Sequence, residues 1–472
     1  MLFTSFEFLV FLPIVFALYW LLQTKVKWQN LLVVAASYVF YGWWDWRFLL
    51  LIALTSFCSW WSGVLIGKAK TRKSAKTWTA LNIVLNLGIL ALFKYYDFFA
   101  AEFAQLFHFS TDGLLLKVIL PVGISFYTFQ ALSYSIDVYR GKLEPTRDVI
   151  AFFAYVCFFP QLVAGPIERA TNLLPQFQCE RKFNYNMAVD GVRQMLWGFF
   201  KKVVVADQCA VFVDDVWNSY GSQHWVTLVI AALLFSIQIY GDFSGYSDIA
   251  IGCAKLFGIR LMRNFNNPYF SRDIAEFWRR WHISLTTWFR DYVYIPMGGS
   301  RVVKWKIVRN TFAIFLLSGL WHGANWTFLA WGAFHALLFL PLILTGKNRK
   351  YTDTIASGRW LPSLKESGQM LFTFALAALG WVLFRSQNLG EAFSFFGGMF
   401  GGNTETAVSV PRKAIVFVLV MLMIEWLQRD REHGLAMDRV KSGVLRYMCY
   451  LGVLALIFVY GMFNETFIYF QF

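Results

Sequence analysis

The stretch Ser318–Asn325 reads SGLWHGAN and lies within 310–346, a run that carries no acidic or basic side chain other than His322 and His335. An ionisable side chain placed at membrane depth is costly, so it is by default a functional candidate. An imidazole with an ordinary pKa of about 6.5 accepts a proton from a hydroxyl at neutral pH. Gly319 and Gly323 flank His322 and let backbone or substrate approach closely. The bland alternative is a histidine that hydrogen-bonds a neighbouring helix, and at this point both readings stand. His335, amid Trp331, Phe334 and Leu337, reads as a packing residue.

A second centre is 273–292, DIAEFWRRWHISLTTWFRDY. Trp278, Trp281, Leu285, Trp288 and Tyr292 recur at helical spacing and define one face of an amphipathic helix. Arg280, Ser284, Thr287 and Asp291 form a polar stripe, and His282 borders the aromatic face. The pattern by itself favours an interfacial helix whose arginines meet lipid headgroups. The functional alternative sets Arg279 or Arg280 against a phosphorylated donor and turns His282 to a cavity. A third candidate, YGDFSGYSD at 240–248, sits at the end of an apolar run. Asp242 and Asp248 are candidates to orient a histidine or to pair with Arg263 and Arg272, or else the motif closes a helix-turn-helix. Ser244 does not satisfy G-x-S-x-G, and no H-E-x-x-H, Walker A or dinucleotide fingerprint is present.

These residues need a scaffold, and composition says which kind. Of 472 residues, 58% are hydrophobic and only 15% charged, whereas soluble domains carry about 25% charged residues. The chain therefore reads as an all-α, polytopic membrane protein. A crossing helix takes about 20 apolar residues. Apolar runs of suitable length fall at 8–24, 48–67, 77–93, 118–136, 149–167, 216–241 and 447–463, with shorter ones at 31–44, 370–384 and 414–424. Of these, 149–167, and with it 188–206, is also compatible with a re-entrant segment. The run 310–346 is too long for one crossing and is expected to turn near Gly323 and Asn325. About 10–12 spanning or re-entrant helices result, in one integral domain over 1–472 whose motifs concentrate in 118–345.

The net charge of +15 is spread over short loops, as the positive-inside rule requires, so nucleic acid is not an expected partner. The loop KAKTRKSAK at 68–76 is assigned to the cytoplasm. Counting through the spans puts the N-terminus outside, along with the acidic loop holding Asp97, Glu102 and Asp112, and Phe472 at the other end. The six cysteines show no metal or disulfide spacing, and no metal is expected. Asn325-Trp-Thr and Asn464-Glu-Thr match the glycosylation sequon, the first within an apolar run.

Six ordered stretches carry a family likeness: ASYVFYGWW at 36–44, PVGISFYTFQALSYSIDVYRG at 121–141, FFPQLVAGPIER at 158–169, DFSGYSDIAIG at 242–252, FWRRWHISLTTWFRDYVYIPMGG at 277–299 and SGLWHGANWTFLAWGAFHA at 318–336. The chain resembles bacterial members of the membrane-bound O-acyltransferase family, of the alginate O-acetylation type. That resemblance implies a ring-shaped helical bundle with a thinned centre and a central tunnel. It implies that His322, within WHG, and His282, within RRWHISL, are the functional histidines, with His322 as general base and His282 orienting the donor or stabilising the oxyanion.

The donor implied is acetyl-CoA, arriving from the cytoplasm, with no permanently bound cofactor. Arg279, Arg280, Trp321, Asn325, Asp242, Ser244 and Asp248 are the donor- or substrate-binding candidates. The acceptor implied is an extracytoplasmic polysaccharide such as alginate, cellulose or peptidoglycan, reached with a partner of the SGNH-hydrolase-like type. The location implied is the bacterial inner membrane. A lipid or protein O-acyltransferase would share both histidines. A secondary transporter should show related halves, and none is visible.

Overall fold

A computed structural model of the chain describes residues 1–111, 113–163, 165–463 and 467–468; Asp112, the Asn464-Glu-Thr sequon and Phe472 lie outside the described residues. Those described form twenty α-helices and no strand. They group into two compact units, Met1–Met195 with Ile249–Met262, and Leu196–Asp248 with Arg263–Phe472. Six helical stretches are long and apolar enough to cross a membrane: Val26–Lys68, Arg72–Leu106, Trp225–Leu256, Trp326–Leu344, Leu364–Arg385 and Gly443–Tyr460.

The first unit opens with α1 (Phe6–Leu21), α2 (Val26–Asp45), α3 (Leu49–Lys68) and α4 (Arg72–Leu90), close to the runs expected from hydropathy, and with α5 (Tyr96–Leu106), which puts Asp97 and Glu102 in a helix where a loop was expected. The Thr71 side chain caps α4 by accepting from Ser74 N–H, so the helix begins inside the basic loop rather than after it. Two runs depart from expectation. The run at 118–136 turns helical only at α6 (Ile124–Tyr139), because Pro121 and the left-handed Gly123 precede it. The run at 149–167 breaks into α7 (Val149–Cys157) and α8 (Phe159–Leu162), Pro160 entering the first turn of the second. Then come α9 (Ala170–Gln178) and most of α10 (Tyr185–Phe199).

Apolar side chains gain little by leaving lipid for one another, so membrane helices use polar contacts as glue. Asn82 supplies one set between α3, α4 and α6. Its Oδ1 accepts from Ser59 Oγ at 3.2 Å and its Nδ2 donates to Ser135 Oγ at 2.7 Å. Arg181 supplies another, donating to Gln29 Oε1 and Asn30 Oδ1 beneath the rings of Tyr19 and Phe177.

Glu168, fully buried before α9, accepts from Asn172 Nδ2 at 2.8 Å and from the Met262 N–H. Burial pushes its carboxyl up to about 7. A carboxyl raised in the folded state gives its full stability below its ordinary value of about 4.5, and loses it as pH rises through about 7. Glu168→Ala also leaves the Met262 N–H without its acceptor, a cost of about 1–3 kcal/mol. The variant should therefore melt below wild type, with the gap wider at pH 5 than at pH 8. Tryptophan-fluorescence melting at both pH values checks this; a gap that widens with pH would contradict it.

The second unit holds the end of α10, a π-helical turn at Phe200–Ala206, α11 (Asp207–Asn218) and α12 (Trp225–Leu256), whose last turns from Ile249 belong to the first unit. It continues with α13 (Ile274–Arg280), α14 (Ile283–Phe289), α15 (Lys304–His322), α16 (Trp326–Leu344), α17 (Leu364–Arg385), α18 (Leu389–Gly401), α19 (Arg412–Leu427) and α20 (Gly443–Tyr460). The expected turn in 310–346 is present at Gly323–Asn325, between α15 and α16.

Two expectations are corrected here. The motif at 240–248 does not follow a span or close a turn, because it lies inside α12. Its Gly245 is a contact point: a Cβ there would sit 2.8 Å from the Gly198 carbonyl oxygen. The stretch 273–292 is not one amphipathic helix. It breaks at Trp281–His282 into α13 and α14, and His282 takes a left-handed backbone with φ +42°.

Candidate functional site

His322 is the last residue of α15 and is buried. Its position follows from the tight α15–α16 hairpin. Gly319 lies so close to α16 that a Cβ would fall 2.2 Å from the Phe328 carbonyl oxygen, which admits only a hydrogen. Trp331 and Phe384 meet the His322 ring edge-on, each at 5.2 Å between centroids, and Trp321 lies at 5.0 Å.

His282 sits at the joint between α13 and α14, and its ring centroid is 6.4 Å from that of His322. Phe243 of α12 meets it edge-on at 4.7 Å, and Trp321 lies 5.7 Å away. A non-glycine residue with positive φ is uncommon and tends to occur where neighbours over-determine the backbone. Here the neighbour is Asn264. Its backbone carbonyl accepts from the Ile283 N–H at 2.8 Å. Its side-chain Oδ1 accepts from Ser284 N–H and Ser284 Oγ, and lies 3.2 Å from His282 Nδ1. Burial pushes the His282 imidazole down to about 3, so the ring is neutral throughout the physiological range.

The other sequence candidates divide. Trp321 belongs to the wall between the two histidines. Asp242, Ser244 and Asp248 belong to a buried charge cluster. Lys202 Nζ lies 2.8 Å from Asp242 and 2.7 Å from Asp207, while Lys201 Nζ pairs with Asp248 at 2.5 Å and donates to Ser244 Oγ at 2.9 Å. The Ile468 N–H donates to the second Asp242 oxygen at 2.6 Å, and Phe467 packs on Tyr246 and Phe243. The partners expected for these aspartates were Arg263 and Arg272. Arg272 is instead paired with Glu276 and Asp353, whereas Arg263 donates to the Phe265 carbonyl and lies within electrostatic reach of Asp248.

Arg280 is held by Glu276 and donates to the Asn266 and Asp353 carbonyls, and Arg279 donates to the Asn348 and Tyr351 carbonyls at 2.5 Å each. Asn325 is the N-cap of α16 and donates to the Gln387 carbonyl at 2.7 Å. His335 is fully buried among Trp278, Trp331 and Phe277, a packing position. Among the described residues no three His, Cys, Asp or Glu side chains gather to hold a metal.

Sequence reasoning passed over three residues that matter here. Lys201 and Lys202 interrupt an apolar run, and buried lysines demand carboxylates, which was the available signal. Asn264 had no signal beyond its place in an Asn-rich segment ending in Asn267-Pro268. What the site assembles is a pair of imidazoles behind an aromatic wall. Such a pair can take and return a proton while bulk water is kept away.

Comparison with known proteins follows the same residues. The model of the membrane-bound O-acyltransferase family matches 146–359, which includes both histidines. The chain is 41% identical to the probable alginate O-acetylase AlgI of Azotobacter vinelandii, over 85% of this chain and 78% of that protein. It is 31% identical to the peptidoglycan O-acetyltransferase of Helicobacter pylori, over 98% of this chain and 95% of that one. A more distant likeness, 28% over 56% of this chain and 68% of the other, is to the teichoic acid D-alanyltransferase of Bacillus subtilis.

Proposed function

The chain belongs to the membrane-bound O-acyltransferase family, and on that premise we propose that it takes an acetyl group from acetyl-CoA at the cytoplasmic face and passes it outward for O-acetylation of a polysaccharide. The observation that carries this reading is the His282–His322 pair, 6.4 Å apart and walled by Trp321, Trp331, Phe243 and Phe384. A thioester is already activated, so the enzyme has three tasks: to deprotonate the acceptor hydroxyl, to stabilise the oxyanion and to exclude water. In the proposed step the hydroxyl oxygen bonds to the thioester carbonyl carbon as its proton passes to His322. The tetrahedral oxyanion then collapses, the C–S bond breaks, and the proton returns to the departing thiolate.

The names of the relatives support acetyl as cargo and a polysaccharide as acceptor. We assign the final transfer to polymer to an extracytoplasmic partner of the SGNH-hydrolase-like type, and the location to the bacterial inner membrane with the N-terminus outside. The basic loop at 68–76 supports that orientation.

The test uses purified chain in detergent with its outer partner, labelled acetyl-CoA and candidate glycans. Free thiol should appear together with labelled ester in the polysaccharide fraction and none in extracted lipid. Label in lipid would move the acceptor to that class, and failure to consume acetyl-CoA would overturn the donor.

A further inference from the structure

We infer that Asn264 is a positioning residue that locks His282 as the Nδ1–H tautomer, so that Nε2 carries the lone pair and His282 enters the reaction as a hydrogen-bond acceptor. The inference deepens the proposed function and rests on His282 being part of the acyl-transfer machinery.

The argument begins with an obligate donor. A backbone N–H can only donate, and the Ser284 N–H points at the Asn264 side chain at 3.3 Å. The atom facing it must be the carbonyl oxygen, which settles the orientation of the amide. The amide nitrogen then faces the other way, where it donates to Ser247 Oγ on α12 at 3.1 Å. Both ends of the side chain are thereby fixed.

The same oxygen lies 3.2 Å from His282 Nδ1. Two lone pairs at that distance repel, so the ring nitrogen must carry the hydrogen and donate it. Ser284 Oγ, which gives its own hydrogen to Asn264 Oδ1 at 2.8 Å, lies 3.4 Å from Nδ1 and is left as a second acceptor for the same N–H. Among the described residues, the two oxygens beside Nδ1, Asn264 Oδ1 and Ser284 Oγ, are both placed to accept from it. A neutral imidazole has one hydrogen, so Nε2, on the ring edge away from Asn264, is the basic atom.

Asn264 also holds the backbone that makes this possible, because its main-chain carbonyl accepts from Ile283 N–H directly after the left-handed His282. One residue therefore fixes the backbone turn, the ring orientation and the tautomer. An oxyanion needs a donor, and Nε2 of this tautomer is not one. The oxyanion role for His282 drops out, and acceptance of a hydrogen bond from a bound donor group remains, the hydroxyl proton itself passing to His322.

The experiment is ¹⁵N NMR of the full chain in lipid nanodiscs, labelled at its six histidines, with His282 identified from the signals missing in His282→Gln. Wild type should give a pyrrole-like Nδ1 and a pyridine-like Nε2. Asn264→Asp keeps an acceptor in place and should keep that pattern, while Asn264→Ala should move both signals toward the tautomer average. Removing a group that orients a histidine typically costs about 10–100-fold, so Asn264→Ala should lose that much kcat with KM little changed, and Asn264→Asp should recover most of it. A pyrrole-like Nε2 in wild type overturns the inference even where Asn264→Ala fails to fold. So does a His282 spectrum that Asn264→Ala leaves untouched. The expected spectra together with full activity of His282→Gln would uphold the tautomer and overturn the catalytic reading of His282 instead, which keeps the two failures apart.

Discussion

His322→Gln should abolish acetyl transfer, lowering kcat by about 10²–10⁴-fold, the range that general-base catalysis supplies. Glutamine keeps the length and a hydrogen-bonding end but accepts no proton near neutrality, so the loss reports base chemistry rather than packing. Among the described residues, the rings of His282, Trp321, Trp331 and Phe384 border His322. The substitution should therefore leave the α15–α16 hairpin intact, with the melting temperature close to wild type. Release of thiol from acetyl-CoA and appearance of labelled ester are to be followed together. Loss of both with an unchanged melting curve supports the assignment. Wild-type turnover by the variant would remove His322 from the mechanism and with it the central element of the proposal.

Lys202→Met should produce the largest loss of stability of any single change considered, about 3–5 kcal/mol. Lys202 is 1% exposed and lies between Asp207 at 2.7 Å and Asp242 at 2.8 Å. Methionine fills a similar volume but leaves two carboxylates facing each other in a dry interior, where each uncompensated charge is costly. Asp242 would keep only the Ile468 N–H among the donors described above. The expected observation is poor recovery of monodisperse protein and a strongly lowered melting temperature. The double variant Lys202→Met with Asp207→Asn should recover part of the loss by removing one of the stranded charges. A Lys202→Met protein that melts like wild type would mean that the cluster contributes nothing net.

Particular residues show why part of this molecule was legible in its sequence. The α15–α16 hairpin was, because 37 residues without charge, apart from two histidines, exceed one crossing and Gly323 with Asn325 offers the turn. His322 stood out as a polar group in apolar surroundings, whereas His282, close to Arg279 and Arg280, was singled out by the family resemblance. The break at His282 was not legible. Trp278, Trp281, Leu285 and Trp288 keep helical spacing across it, so periodicity alone reads through. What stops the helix is Asn264, more than fifteen residues upstream, capturing the Ile283 and Ser284 N–H groups. The aspartates of 240–248 failed similarly. Arg263 and Arg272 were the expected partners; Arg263 does feel Asp248, but the direct ion pairs are made by Lys201 and Lys202 on a preceding helix. Local pattern identifies which groups need partners, and tertiary packing decides which partners they receive.

The path of α12 also constrains how the protein is made. The first unit comprises Met1–Met195 and Ile249–Met262, so 53 residues of the second unit are synthesised before the first has all its parts. At about 5–20 residues per second the ribosome needs roughly 3–10 s for that interval. Throughout it Asp190 waits for Lys255, and Glu168 waits for the Met262 N–H. The first unit cannot be finished until the opening segment of the second has been translated. The inserting chain must hold an incomplete N-terminal bundle in the bilayer until α12 has passed, which makes that delay the interval of greatest exposure to membrane quality control.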